Sequence, residues 1–125
     1  MADSVTLRAA DGHLFGAYVA HTAGEPLAGL IVVQEIFGVN AHIRSVADGW
    51  ARDGFLAVAP TLFDRISPGI ELGYDPASMQ TAMSLFPKFD VDKAIIDVAA
   101  AIEFAAGETH KKVGVIGYCL GGTIA

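Results

Sequence analysis

An α/β fold built on a mostly parallel sheet follows from three features of these 125 residues. Short apolar runs without alternation, in Leu30–Val33, Phe55–Ala59 and Val113–Ile116, are separated by segments with helical spacing. A strand that is apolar at every position must be covered on both faces, as parallel strands are under crossover helices. The segment from Val5 to Val19 instead alternates, as in a half-exposed antiparallel pair. The resulting order is strand, helix, strand, helix, strand with right-handed crossovers, and no internal repeat or second domain interrupts it.

Each element has its own signal. Val5, Leu7 and Ala9 alternate with polar neighbours up to Asp11-Gly12, and apolar character resumes from Leu14 to Val19, which predicts a β-hairpin at the sheet edge. After the polar link HTAGEP, the run Leu30-Ile31-Val32-Val33 stops abruptly at Gln34-Glu35. Asn40 can cap a helix on which Ile43, Val46, Ala47, Trp50 and Ala51 share one face, Arg44 and Asp48 stand a turn apart for pairing, and Gly54 marks the stop. The strand FLAVA follows at once. Pro60, Pro68, Gly69 and Gly73 predict a long irregular connection over residues 60–75, and PASMQTAMSLF after it reads as a short helix. Asp90 caps a predicted helix over Val91–Ala106, with Val91, Ala94, Ile95, Val98, Ile102 and Ala105 inward and Gly107 as its end. The polar ETHKK then turns into the last strand.

Composition narrows the function. A 53% hydrophobic content supplies a core and excludes a disordered chain. A net charge of -6, with no block of lysines or arginines, leaves no positive surface for a nucleic acid or an anionic membrane. No segment approaches the roughly 20 apolar residues that span a bilayer, and the N-terminus has neither a basic leader nor an apolar run, so a cytoplasmic location is expected. The single cysteine has no partner in the chain for a disulfide.

That cysteine lies in GVIGYCLGGT. Gly117 and Gly121 flank Cys119 at the two positions where a sharp strand-to-helix turn needs small residues, so that strand and helix can approach. Such a turn places a nucleophile above the sheet, where the following helix lowers a thiol pKa and the Leu120 amide points at an incoming oxyanion. The competing reading is a buried structural cysteine; the glycine frame directly after a buried strand favours the nucleophile. A dinucleotide fingerprint and a P-loop both fail, since the glycines stand at 114, 117 and 121 and no lysine precedes Thr123. In VVQEIFGVN, Glu35 sits at the carboxyl end of a buried parallel strand, the edge where α/β sheets build sites. It is either a solvated strand-end charge or part of the Cys119 site, because Ile36 begins the loop that supplies a second oxyanion amide in this architecture. His13, His21, His42 and His110 have no metal-site spacing and are expected at the surface.

Taken together, QEIFGVNAHIRSVADGWARDGFLAVAPTLF and GVIGYCLGG resemble the dienelactone hydrolase (carboxymethylenebutenolidase) family, an α/β-hydrolase branch with a cysteine nucleophile. The resemblance runs over most of the chain. It implies the N-terminal part of an α/β-hydrolase fold and hydrolysis of small lactones or esters without a cofactor or metal. It also implies Cys119 as nucleophile, Glu35 as the acid that contacts the thiol at rest and helps activate it, and Ile36 and Leu120 as oxyanion amides. Triad order in this fold is nucleophile, acid, histidine, and both later members lie downstream of the elbow. Residues 1–125 are therefore expected to form a single incomplete domain ending just after the nucleophile elbow, without the triad aspartate and histidine and inactive alone. Residues 120–125 would make only about 9 Å of helix at about 1.5 Å per residue, so the missing part or a partner chain is expected to cover the sheet edge.

One departure bears on substrate. Family members acting on dienelactone hold its carboxylate partly with an arginine on the helix before Phe89-Asp90. Here that segment carries Met79, Met83 and Phe86, with no basic residue before Lys88. An apolar lining does not repay desolvation of a carboxylate, so a less acidic or bulkier substrate is implied. Arg65 in the preceding loop is either the compensating cation or a solvated loop charge. The alternative function is a non-catalytic α/β module that binds a partner through its exposed sheet edge.

Overall fold

In the computed structural model, which describes residues 2–125, the strands β1 (Ala2–Arg8), β2 (Leu14–Ala20), β3 (Ala28–Val33), β4 (Phe55–Pro60) and β5 (Val113–Gly117) form one sheet in the order β1-β2-β4-β3-β5. The hairpin β1-β2 is antiparallel and joins β4 antiparallel, whereas β3 runs parallel to both β4 and β5. β5 is not covered on both faces as its apolar run implies: Val113, Val115, Ile116 and Gly117 are half-buried and Gly114 is exposed, because β5 ends the sheet with only β3 beside it. The unalternating strands are the parallel ones nonetheless.

The helices explain why. Helix α1 (Ala41–Arg52) packs Ile43, Ala47 and Ala51 on one face of the sheet against Val32, Ala57 and Ala59. Helix α3 (Val91–Thr109) packs Ala94, Val98, Ala101 and Ala105 on the other face against Val19, Ile31, Val33 and Val58. Successive residues of β3 therefore alternate between two covered faces, and Ile31, Val32 and Val33 are fully buried. Alanines on both helices permit a short helix-to-sheet distance; a Cβ on Gly29 would already stand 3.0 Å from the Ala105 Cβ. Two shorter helices, α2 (Pro76–Leu85) and α4 (Leu120–Ile124), complete the chain. No helix of the described residues is long and apolar enough to cross a membrane.

Caps fall where side-chain chemistry puts them. Asn40, Asp75 and Asp90 accept from the amides of Ile43, Ser78 and Lys93 at the starts of α1, α2 and α3. Four more expectations are corrected. Helix α3 runs through Gly107 to Thr109, because the Thr109 hydroxyl donates to Ala105 O at 2.8 Å and His110, at φ 56°, supplies the left-handed cap instead. Its inward face is rotated: Val91 and Ile95 are exposed, and Asp97 and Thr109 are buried. Arg44 does not pair with Asp48; tertiary partners win, Arg44 binding Glu71 at 2.7 Å while Asp48 accepts from the Tyr18 hydroxyl at 2.7 Å. The connection after β4 is not wholly irregular, since Leu62–Arg65 forms a 3-10 turn with Leu62 and Phe63 buried.

Asp97 is tolerated on an apolar face because Arg65 meets it. Arg65 donates from Nε and Nη2 to Asp97 at 2.9 and 2.7 Å, and from Nη1 and Nη2 to Asp11 in the hairpin turn at 2.9 and 3.1 Å. One guanidinium thus ties α3, the 3-10 turn and the hairpin together. Arg65 is neither a solvated loop charge nor a free cation. Asp97 is fully buried, so Asp97→Ala should leave the guanidinium without its inner partner and cost about 3–5 kcal/mol, read from urea denaturation. The Arg65 hydrogen bond chiefly lowers the Asp11 carboxyl from 3.8 to about 2. A carboxyl lowered on folding stabilises above its unfolded value and loses that contribution as pH falls through its folded value. The stability advantage of the unmodified protein over Asp11→Asn should therefore disappear between about pH 4 and about pH 2.

Candidate active site

The loop between β5 and α4 turns on one residue. Cys119 follows the end of β5 at Gly117 by two positions, precedes the start of α4 at Leu120, and has φ 58° and ψ -117°. A side chain in that region costs about 1–3 kcal/mol and persists only where its surroundings fix it. They do so here. Tyr118 N donates to Val33 O at 3.3 Å, Gly121 N to Tyr118 O at 3.0 Å and Gly122 N to Cys119 O at 3.0 Å. From α1, Trp50 Nε1 donates to the Tyr118 hydroxyl at 3.2 Å, which anchors the residue before the cysteine. The thiol itself is exposed.

Glycines make this approach possible. A Cβ on Gly117 would lie 1.9 Å from Gly121 O, and a Cβ on Gly121 would lie 2.3 Å from Val33 O and 2.7 Å from Gln34 O. The elbow is therefore pressed against the end of β3. That end is held in turn by Gln34, a fully buried amide whose Oε1 accepts from Leu62 N at 2.9 Å and whose Nε2 donates to Glu35 O at 3.2 Å.

Residues 35–40 form a tight turn and a helix start. Gly38, at φ 83°, pairs with both Glu35 and Glu71, and a Cβ there would stand 2.4 Å from Ile70 O. Leu72 N donates to Phe37 O at 2.9 Å, and Asn40 Nδ2 donates to Leu72 O at 2.8 Å and to the Tyr74 hydroxyl at 3.3 Å. The Glu35 carboxylate accepts from the Tyr74 hydroxyl rather than from the Cys119 thiol. Contact between acid and thiol, implied by the resemblance, is replaced here by contact between acid and phenol.

The structure brings Cys119, Leu120, Glu35 and Ile36 to one edge of the sheet, at the carboxyl ends of β3 and β5. The Ile36 and Leu120 amides donate to no protein acceptor among the described residues. It does not gather the other candidates into a pocket: Met79, Met83 and Phe86 face solvent, between 42% and 57% exposed, and Arg65 is committed to two carboxylates. His21 pairs with Asp3 at 2.9 Å, His42 and His110 are exposed, and His13 is half-buried with an unpartnered Nε2. Among the described residues no group of three or more His, Cys, Asp and Glu could hold a metal ion. Sequence reasoning missed Tyr74 altogether, and it missed the second role of Asn40 and the clamp made by Gln34. Only Gln34 left a trace, as a polar residue ending an otherwise apolar run.

The sheet order and the strand-to-helix turn at Cys119 define an α/β-hydrolase fold. The dienelactone hydrolase family model matches residues 15–125, and the chain belongs to that family. Carboxymethylenebutenolidase of Pseudomonas putida is 37% identical over 128 aligned positions, covering 100% of this chain and 54% of the relative. Carboxymethylenebutenolidase 1 of Cupriavidus pinatubonensis is 34% identical, with 100% and 55% covered. A crystal structure of a Klebsiella pneumoniae protein assigned as a dienelactone hydrolase superposes with a TM-score of 0.76 at 30% identity, over 99% of this chain and 52% of the other. The chain thus spans about half the length of the curated relatives it matches.

Gly117→Ala has no room within the elbow, because the clash is with backbone and not with a movable side-chain tip. It should destabilise the protein by at least about 2 kcal/mol, measured as a lowered urea midpoint. Gly107→Ala, at a helical glycine with open space around its Cβ position, should instead stabilise by up to about 1 kcal/mol.

Proposed function

We propose that this chain is the elbow-bearing part of a hydrolase that cleaves small lactones or esters with the Cys119 sulfur. The observation that carries the reading is the Cys119 backbone, held at positive φ in a strand-to-helix turn with the Leu120 amide beside it. In the proposed reaction the thiolate adds to the substrate carbonyl carbon, and the Ile36 and Leu120 amides receive the oxyanion. Collapse of the tetrahedral species breaks the C–O bond and expels the alkoxide, which takes up the proton that the thiol gave up and becomes the alcohol end of the product. Water then hydrolyses the thioester, releasing the carboxylic acid and restoring the thiol. Glu35, at the same edge of the sheet and bound to the Tyr74 hydroxyl, is the acid that takes part in activating the thiol.

The proposal assigns the triad aspartate and histidine to sequence beyond this stretch, within the additional length that the relatives have. None of His13, His21, His42 and His110 hydrogen-bonds the thiol among the described residues. Without a positioned general base, acylation and deacylation are both slow. The 125-residue chain should accordingly turn over p-nitrophenyl acetate poorly or not at all, while a chain of the relatives' length should do so and lose turnover in Cys119→Ala. Undiminished turnover in that variant would remove the cysteine from the mechanism.

The substrate follows from the missing cation. Helix α2 carries no basic residue, and Arg65 is occupied by Asp11 and Asp97. A substrate carboxylate finds no partner on this side of the site, so we assign a neutral or weakly acidic lactone or ester. In the chain of full family length, kcat/KM for a neutral ester should exceed that for a carboxylate-bearing lactone of similar size. A strong preference for the acidic lactone in the unmodified enzyme would overturn the assignment.

A further inference from the structure

Cys119 lies between two residues whose side chains enter opposite faces of the sheet. Tyr118 packs with Ile116 and Trp50 against the apolar cluster under α1, while Leu120 and Ile124 are buried in the cluster under α3. The strained cysteine backbone, at φ 58°, is thus straddled by one hold on each face. The two holds differ in kind. Leu120 is buried among apolar neighbours; Tyr118 is only half-buried, and its hydroxyl accepts from Trp50 Nε1 at 3.2 Å across 68 positions of sequence. Apolar contact has no preferred direction, whereas a hydrogen bond at the far end of a ring fixes where the ring lies.

Trp50 is placed to give that direction. Its neighbours on α1, Ala47 and Ala51, are buried against the sheet, and its ring meets Phe55 of β4 edge-on with centroids 5.9 Å apart. An indole N–H can only donate, and among the described residues it is the one side-chain partner of the Tyr118 hydroxyl. The main chain of Tyr118 holds less firmly, since its amide reaches Val33 O at 3.3 Å, long for such a bond. Its carbonyl receives Gly121 N at 3.0 Å, so a swing of Tyr118 passes directly into the first turn of α4. Building on the hydrolase reading above, we propose that Trp50 is a positioning residue for the nucleophile: its indole holds the Tyr118 ring and thereby keeps the Cys119 backbone in the turn on which acylation depends. A nucleophile shifted by about 1 Å can lose up to about a hundredfold in rate, so a residue that never touches substrate can govern the step.

Hydrogen exchange of single amides, followed by NMR in the chain of full family length, separates a local hold from a general one. Trp50→Phe keeps an aromatic ring against Phe55 and removes the donor, and Tyr118→Phe removes the acceptor. Either should speed exchange at Gly121 and Gly122, whose amides bond Tyr118 O and Cys119 O, by about fivefold, the equivalent of one net hydrogen bond. The amides of Ile31, Val32 and Val33 should not change. The double variant should exchange no faster than either single one, and kcat for p-nitrophenyl acetate should fall by about the same factor with KM unchanged. Unaltered exchange at Gly121 and Gly122, additive effects of the two substitutions, or a loosened elbow with kcat intact would overturn the proposal. Equal acceleration in β3 would overturn it too, by marking Trp50 as merely structural. The exchange pattern does not need turnover: an unmodified chain that shows it without hydrolysing the ester would sink the hydrolase reading and leave Trp50 as the hold on the elbow.

Discussion

Everything at the candidate site depends on how closely the backbone after β5 approaches the end of β3. The approach is possible only because Gly117 and Gly121 lack a Cβ, each of which would fall well inside contact distance of main-chain atoms. Hydrogen bonding across β3 and β5 sets the register, with Val33 opposite Gly117, and Tyr118 N extends it by one more bond to Val33 O. The unfavourable φ of Cys119 is thereby imposed from both sides, by a strand that must pair and a helix that must start. Packing stabilises the neighbours and leaves the cost on one residue, which is also the exposed nucleophile candidate.

A second layer is polar and arrives from the long connection. Gln34, Asn40, Tyr74 and Arg65 each join a point on the site edge or on α3 to a segment far off in sequence. Buried polar groups are costly when unpaired, so each such clamp has a narrow set of acceptable geometries. That property suits loops, whose positions an apolar surface would fix only loosely. Beyond the buried Leu62 and Phe63, the connection after β4 is held by hydrogen bonds, the Arg65 ion triad and the Arg44–Glu71 pair, while the helices are held by alanines and branched side chains on the sheet.

The difference between the two layers decides what can be read from sequence. The burial of β3 and β4, the helix caps at Asn40 and Asp90, and the glycine frame around Cys119 are local or periodic, and each leaves a pattern within one element. Tyr74 and Glu35 are 39 positions apart, in a loop without periodicity, and no local rule pairs them. Asp97 did leave a signal, an acid among Ala94, Val98 and Ala101, but apolar counting chose Val91 and Ile95 for the inward face because it weighs Asp as outward. Only the knowledge that Arg65 waits opposite reverses that weighting. Gly107 failed as a helix stop for a related reason: a glycine ends a helix only when the chain needs the left-handed conformation there, and here His110 takes it.

The same division separates the elbow from helix α2. Cys119, the Leu120 amide and the ends of β3 and β5 are fixed by backbone contacts in which side-chain identity matters mainly by being absent, as at Gly117 and Gly121. Helix α2 meets none of those constraints: its Met79, Met83 and Phe86 are exposed, and among the residues of α2 only Ala82 is buried. Side chains there can change without disturbing the elbow. Those at Gln34, Asn40 and Tyr74 cannot, because they tie the end of β3 and the turn after it to the long connection. The strained Cys119 backbone is thus held by contacts that leave no freedom, while α2 presents side chains that no such contact fixes.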